Sequence, residues 1–519
     1  MVDVIIKGGS IIDGTGSSAF LSDIAIHGDR ITDIAPQIPA HSAGIILDAQ
    51  GLLVCPGFID AHSHSDTYLM VEPTAPSKLY QGITTEVVGN CGASAAPCLG
   101  QASLPSDWKT HTYPGSWQTM REFRALLEST PPSVNVVALV GHNVLRASIM
   151  GYVGRNATTT EINDMAQLLE ESLNDGGRGL STGLIYPPGM YAAPEEINAL
   201  ATVVARHNGI YTSHMRSESS RLLDSLEETI GISRSTGVKV QISHLKTSGR
   251  ANWHFIDQAL ALINSARSEG LTIASDRYPY TSSCTELDVI FPNWVTEGGR
   301  DAELARLRDP DTRARLRQDI FNSQPDRSWG SITIGSTTEV NSQFRGVPIE
   351  QVASTLGMDP VDAALHLIET DVLTTTAFFQ GMSEDNMWRI LAEPWVMIGS
   401  DASLRAPWGP LGKDYPHPRA YGSFTKFLRA ALDNKTVPLP EAIRKMTSLP
   451  ATQFNLTHRG SLARGSYADI VLINPTTVRD LASFSAPHKF SEGITDVLVN
   501  GKLVLSKGKL TGNRPGRWL

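Results

Sequence analysis

Pro56-Gly-Phe-Ile-Asp-Ala-His-Ser-His64 is the stretch on which the fold turns. Its apolar residues Phe58 and Ile59 read as a short β-strand, and its end carries two histidines two positions apart. On a strand, residues i and i+2 point to one face. At the C-terminal end of a barrel strand, both rings would reach into the mouth, where imidazole is the commonest ligand for zinc-like metals. A lone His-x-His fits a surface or core pair as well. The reading therefore depends on what ends the other apolar runs.

Seven more β-rich runs follow Gly57–His62, at Ile83–Val88, Val134–Val140, Gly179–Ile185, Gly209–His214, Val238–His244, Leu271–Asp276 and Trp395–Asp401. Helical patterns lie between several of them, at Glu161–Leu173, Glu195–His207, Ser220–Ser235 and Phe255–Ser268. Eight β runs alternating with helices predict an α/β chain with a (β/α)8 barrel over 56–454. His214 ends the fifth run and His244 the sixth, thirty positions later. One β/α repeat carries a residue from the end of one strand to the same place on the next. Each histidine alone fits a satisfied core residue. Four at the ends of three runs fit that reading poorly.

The two ends of the chain resemble each other. Val2–Ile6, Ile11–Asp13, Ile24–His27 and Ile31–Ile34 are short β runs, as are Asp469–Ile473, Val497–Val499 and Leu503–Leu505, with Asn500-Gly501 as a hairpin signal. Neither end can close a sheet alone, which predicts one small β domain from 1–55 and 455–519. Two stretches exceed ordinary βα loops. Gly92–Pro132 holds a helix near Gln118–Leu127, and Thr281–Glu393 separates the seventh and eighth runs. Such loops sit at the catalytic face of a barrel, so an insertion at about 281–345 is expected to lid the site.

Cys91, in Gly89-Asn-Cys-Gly92, follows the second run in a tight turn. An isolated cysteine is most often structural. Its place beside the first strand favours a thiolate ligand, and sulfur with two imidazoles is a sound zinc set. Asp401, in Ile398-Gly-Ser-Asp-Ala402, ends the eighth run. It fits an Asx turn after Gly-Ser as well as a carboxylate that accepts a proton from a metal-activated water.

Apolar residues make up 41 % and charged residues 19 % of 519, which excludes a disordered chain. A net charge of -9 disfavours a nucleic-acid partner. Four cysteines cannot form a disulfide framework in so long a chain. The start lacks the basic and apolar regions of a signal peptide, and no apolar stretch of about 18 residues predicts a membrane span. A reducing cytoplasm is the expected compartment.

Together, Pro56–His64, His214, His244 and Asp401 resemble the amidohydrolase superfamily. Within it the chain is similar to the N-acyl-D-amino-acid deacylases. The pieces that carry this are Gly82-Ile-Thr-Thr-Glu-Val-Val-Gly-Asn-Cys-Gly92, Gly179-Leu-Ser-Thr-Gly-Leu-Ile-Tyr-Pro-Pro-Gly189, Ser243-His-Leu-Lys246, Asp276-Arg-Tyr-Pro-Tyr280 and His417-Pro-Arg419. The resemblance implies a TIM-like metal-dependent hydrolase barrel with a small β-sandwich domain from both termini. It implies that Cys91, His214 and His244 hold one tight zinc, while His62, His64 and Asp401 surround a second, weaker position. Asp401 and His62 would be catalytic, and Arg419, Lys246 and Tyr278 would bind the substrate carboxylate. Cys284 stands where the family commonly has a substrate-site serine. The implied reaction is zinc-dependent hydrolysis of N-acyl-D-amino acids to a carboxylate and a free D-amino acid. The alternative is another amide class, such as a hydantoin-like cyclic amide or a lactone, on the same metal site. No oligomeric state follows from these residues.

Overall fold

The computed structural model describes residues 2–39, 43–323 and 328–519. Positions 40–42 of the terminal region and 324–327 of the expected lid lie outside the described residues. Eight strands form the centre: Phe58–Asp60, Ile83–Val88, Asn135–Ala138 continued by Val140–Gly141, Gly179–Gly183, Ile210–His214, Lys239–Ile242, Ile273–Arg277 and Val396–Ile398. Neighbours pair in parallel in that order. Leu139 N donates to Val88 O at 3.0 Å, which carries the third strand past its break. The ring closes where Ala61 N donates to Ile398 O at 3.3 Å and Ser63 bridges Ala402 in parallel. All eight β runs are thus barrel strands, and the His62, His214, His244 and Asp401 ends lie at one rim.

The helices between them follow from local signals. Thr158 accepts from Glu161 N, and Glu161 caps back onto Thr158, so Thr159–Asn174 starts in a capping box. Met165, Leu168, Leu169 and Leu173 then form its buried stripe. Burying one such side chain contributes about 1.5–3 kcal/mol, more than the ~1 kcal/mol of a cap, so packing on the barrel holds this helix. Pro194–Arg206, Leu222–Thr236 and Ile256–Ser268 occupy the other predicted helical stretches, and Met120–Ser129 the predicted helix in the first long loop.

Both termini enter one nine-stranded sheet. Leu53–Pro56 pairs antiparallel with Ile470–Ile473 and joins the two ends. Val2–Ile6 and Ile11–Asp13, separate in the sequence reading, belong largely to one strand, Val2–Ile11, with a register shift between Ile6 and Gly9. Gly8 and Gly9 sit at that shift, where the strand bends instead of ending. Asn500 and Gly501 have φ of 47° and 75° and join Ile494–Val499 to Lys502–Ser506.

Between the seventh and eighth barrel strands, Ser282–Glu286, Ile332–Ile334 and Thr376–Gln380 build a separate antiparallel sheet. Helices including Pro310–Ser323 and Pro360–Thr370 pack with it around a core of their own that contains Leu287, Ile334 and Leu365. Among the described residues, no helix is long and apolar enough to cross a membrane.

Candidate metal centre

His62, His64 and Cys91 leave the first two barrel strands, His214 and His244 the fifth and sixth, and Asp401 the eighth. Two donor groups result. Cys91, His214 and His244 form one, and His62, His64, Cys91 and Asp401 form the other; within each, the donor atoms lie within 4.8 Å of one another. Cys91 belongs to both. Its Sγ is 3.3 Å from His62 Nε2 and 3.5 Å from His244 Nε2. His244 Nε2 is 3.0 Å from His214 Nδ1. Tetrahedral ligands about 2.0–2.3 Å from a common zinc would be separated by roughly 3.3–3.6 Å, so this donor set suits the ion. Asp401 Oδ1 faces His64 Nε2 at 3.1 Å and His62 Nε2 at 3.4 Å.

Three of these residues also carry an unusual backbone. Cys91, His244 and Asp401 have φ of 54°, 37° and 49°. Such left-handed conformations cost free energy for residues with a Cβ and gather at functional sites. The fourth strand makes room for the Cys91 turn: a Cβ on Gly183 would lie 2.0 Å from Cys91 O. Gly89, at φ +78°, opens the turn, and a Cβ there would meet Leu139 O at 2.3 Å. Asp66 clamps it by accepting from Gly89 N at 3.1 Å and Ala95 N at 3.2 Å.

Carboxylates behind the rings set their orientation. Asp276 lies 3.1 Å from His62 Nδ1 and accepts from His244 N at 2.9 Å. Glu218 is 2.8 Å from His244 Nδ1, which Lys246 Nζ also approaches at 2.7 Å, while His214 Nε2 lies 3.9 Å from Glu218 with no hydrogen bond. An acceptor on the outer nitrogen turns the inner one toward a metal. Asp66, Glu218 and Asp276 have no role in the sequence reading. Their adjacency to quoted motifs was the only signal, because each acts on residues of other strands.

The charges of Cys91 and Asp401 suit a liganding role, whereas His64 must give up a proton to bind an ion. Burial opposes ionisation of Cys91, but the His62 and His244 rings overcome it and hold the thiol well below its ordinary value. Asp401 is likewise opposed by burial, and Arg419 and His244 hold it well below the usual carboxylate range. Burial opposes the charge on His64, yet the Asp401 hydrogen bond and Cys91 raise it to about 9.

The expected carboxylate binders stand in the same cavity, of about 1450 Å³, which the insertion partly walls. Arg419 Nη1 donates to Asp401 Oδ2 at 2.7 Å, and Lys246 Nζ donates to Glu218 Oε1 at 2.5 Å. Tyr278 is fully buried and its hydroxyl has no hydrogen-bond partner. Cys284 meets Arg419 through its backbone, whose carbonyl accepts from Nη2 at 3.4 Å, while burial pushes its thiol up to about 11.

Residues 46–505 match the model of the Amidohydrolase family. N-acyl-D-aspartate deacylase of Alcaligenes xylosoxydans xylosoxydans is 35% identical over 523 residues, covering 100% of this chain and 95% of that protein. D-aminoacylase of the same organism is 35% identical over 520 residues, covering 100% and 97%. The solved structure of N-acyl-D-glutamate deacylase from Bordetella bronchiseptica, with zinc and a phosphonate mimic of the tetrahedral intermediate, is 34% identical with a TM-score of 0.86, covering 100% and 99%. A family match across the whole barrel, on a chain whose strand ends converge on these donors, makes this protein a member of the amidohydrolase family.

Proposed function

We propose that this protein hydrolyses the amide bond of N-acyl-D-amino acids, releasing a carboxylate and a free D-amino acid. One observation carries the chemistry: Cys91 is shared by two donor groups, and Asp401 stands in one of them beside His64. The D preference is supported by the full-length relatives, which are named N-acyl-D-aspartate deacylase and D-aminoacylase.

In this reading, Cys91, His214 and His244 hold the tight zinc, and His62, His64 and Asp401 form a weaker second position. Bound there, zinc supplies Lewis-acid chemistry, polarising the amide carbonyl and lowering the pKa of a water. Asp401 takes the proton of the attacking water and returns it to the leaving amine nitrogen. With no ion on the weaker position, His62 keeps a proton on each nitrogen, one held by Asp276 at Nδ1, and donates from Nε2 to the developing oxyanion. Arg419, Lys246 and Tyr278 orient the substrate carboxylate, and Cys284 lines that end of the cavity as a neutral thiol. A guanidinium suits a carboxylate by bidentate pairing.

We also read 1–55 and 455–519 as one β-sandwich domain, supported by an apolar cluster shared by Val4, Ile24, Ile470 and Leu498. The insertion from about 281–345 acts as a lid, supported by Glu286 and Ile332 on the cavity wall. Four free thiols support a cytoplasmic setting.

The test pairs metal content with turnover of a D/L panel of N-acetyl amino acids by wild type and Asp401→Asn. Amine release from D substrates alone, lost in the variant while zinc stays bound, is the expected result. Zinc without turnover of either enantiomer would shift the substrate to cyclic amides or lactones. A wild type that binds no metal would overturn the proposal.

A further inference from the structure

Arg277 ends the seventh barrel strand, directly before Tyr278, and is 1 % exposed. Its Nη2 donates to Tyr280 O at 2.9 Å and touches Met382 Sδ at 3.0 Å. Its Nε and Nη1 have no hydrogen-bond partner, and no carboxylate among the described residues forms an ion pair with it. Arginine keeps its charge at neutral pH, and a buried charge without a counter-ion is costly.

This charge stands against the corner that receives the substrate carboxylate. Arg277 Cζ lies 4.2 Å from the centroid of the Tyr278 ring, and Arg419 Cζ lies 4.6 Å from it. Tyr278 lines the cavity with its hydroxyl unpartnered, whereas Arg277 does not reach the cavity surface. Arg419 is paired with Asp401 and Lys246 with Glu218, whereas Arg277 has no ion-pair partner among the described residues.

We propose that Arg277 is a positioning residue whose unneutralised charge, acting through Tyr278, draws the substrate α-carboxylate into place. The incoming carboxylate supplies the missing negative charge and accepts a hydrogen bond from the free Tyr278 hydroxyl. Arg277 touches no reacting atom. Its effect belongs in substrate binding and in the preference for an acid over its neutral analogue. This inference rests on the deacylase reading.

The experiment compares zinc-loaded wild type, Arg277→Met and Arg277→Lys on an N-acetyl-D-amino acid and on its primary carboxamide. In Arg277→Met, KM for the acid should rise about tenfold or more with kcat within about threefold, and the preference for acid over carboxamide should shrink by the same factor. Arg277→Lys, which restores a charge, should recover part of that preference. A merely structural role would lower turnover of acid and carboxamide alike and leave their ratio unchanged, which overturns the inference. Should Arg277→Met fail to fold, Arg277→Gln keeps a donor for Tyr280 O and reads the same ratio. A wild type that neither hydrolyses nor binds the acid sinks the deacylase reading together with this inference. Turnover with an unchanged ratio sinks the inference alone.

Discussion

His62 Nδ1 and Asp276 Oδ1 lie 3.1 Å apart, and neither side chain is exposed. Gln241 Nε2 also donates to Asp276, at 2.6 Å, and so does His244 N, at 2.9 Å. One carboxylate therefore fixes the ring of His62 and the strained backbone of His244, so it braces both donor groups from behind. An Asn at 276 keeps the shape but halves the acceptors. Acceptors of this kind are worth about 10–100-fold in metal affinity or activity. Asp276→Asn should lose ion from the His62/His64/Asp401 position by that factor, with kcat falling in parallel, while the ion on Cys91 and His214 survives dialysis. Metal analysis before and after dialysis checks this. Metal content equal to wild type before and after dialysis, with full activity, would show that Asp276 braces nothing.

Much of this site was legible because a β/α repeat preserves the rim. The thirty-residue step from His214 to His244, and the strand-end positions of His62 and Asp401, foretold which residues would meet. Asp66, Glu218 and Asp276 escaped because a carboxylate has no periodic signature; its role is set by which turn or ring it faces across strands. The pairing of Arg419 with Asp401 at 2.7 Å was hidden for the same reason. Gly183 stood in the sequence only as one residue of a quoted motif, whereas the fold shows a glycine clearing space for the Cys91 carbonyl. The insertion's separate core around Leu287 and Leu365 was invisible, since its apolar residues carry no mark of the partner they choose.

Far from the rim, Lys445 makes a prediction about pH. It is fully buried, and its Nζ donates to Val396 O at 2.8 Å and to Glu393 O. Two carbonyl acceptors suit a neutral amine. Burial pushes the group down from 10.5 to about 7. Between those values the unfolded chain holds a proton that the folded chain lacks, so stability rises with pH across this window. The penalty is fully present below the folded value. One proton limits the slope to about 1.4 kcal/mol per pH unit. Urea unfolding of wild type and Lys445→Met from neutral to alkaline pH should therefore show the steeper rise in wild type. Equal slopes would mean that Lys445 stays charged when folded.

The last prediction concerns the seam that closes the barrel. Lys78 is fully buried, with Nζ 2.8 Å from Asp60 Oδ2 and 3.1 Å from Glu86 Oε2. It also donates to Ser400 Oγ at 3.1 Å and Ala402 O at 3.0 Å, on both sides of Asp401. Asp60 accepts in turn from Ser400 N at 2.8 Å. A single ammonium thus ties the strand that leads to His62 and His64, the strand that leads to Cys91 and the turn that carries Asp401. Removing it leaves two buried carboxylates facing each other without a cation, which is worth about 3–5 kcal/mol of lost stability. Lys78→Met should accordingly unfold at much lower denaturant and hold the ion beside Asp401 less tightly. Neutralising the carboxylates as well, in Lys78→Met with Asp60→Asn and Glu86→Gln, should recover part of the stability, because no uncompensated charge remains. The freed Asp401 turn should stay loose in that triple variant, so the weaker metal position should not recover with it. Recovery of both together would show that Lys78 acts on stability alone.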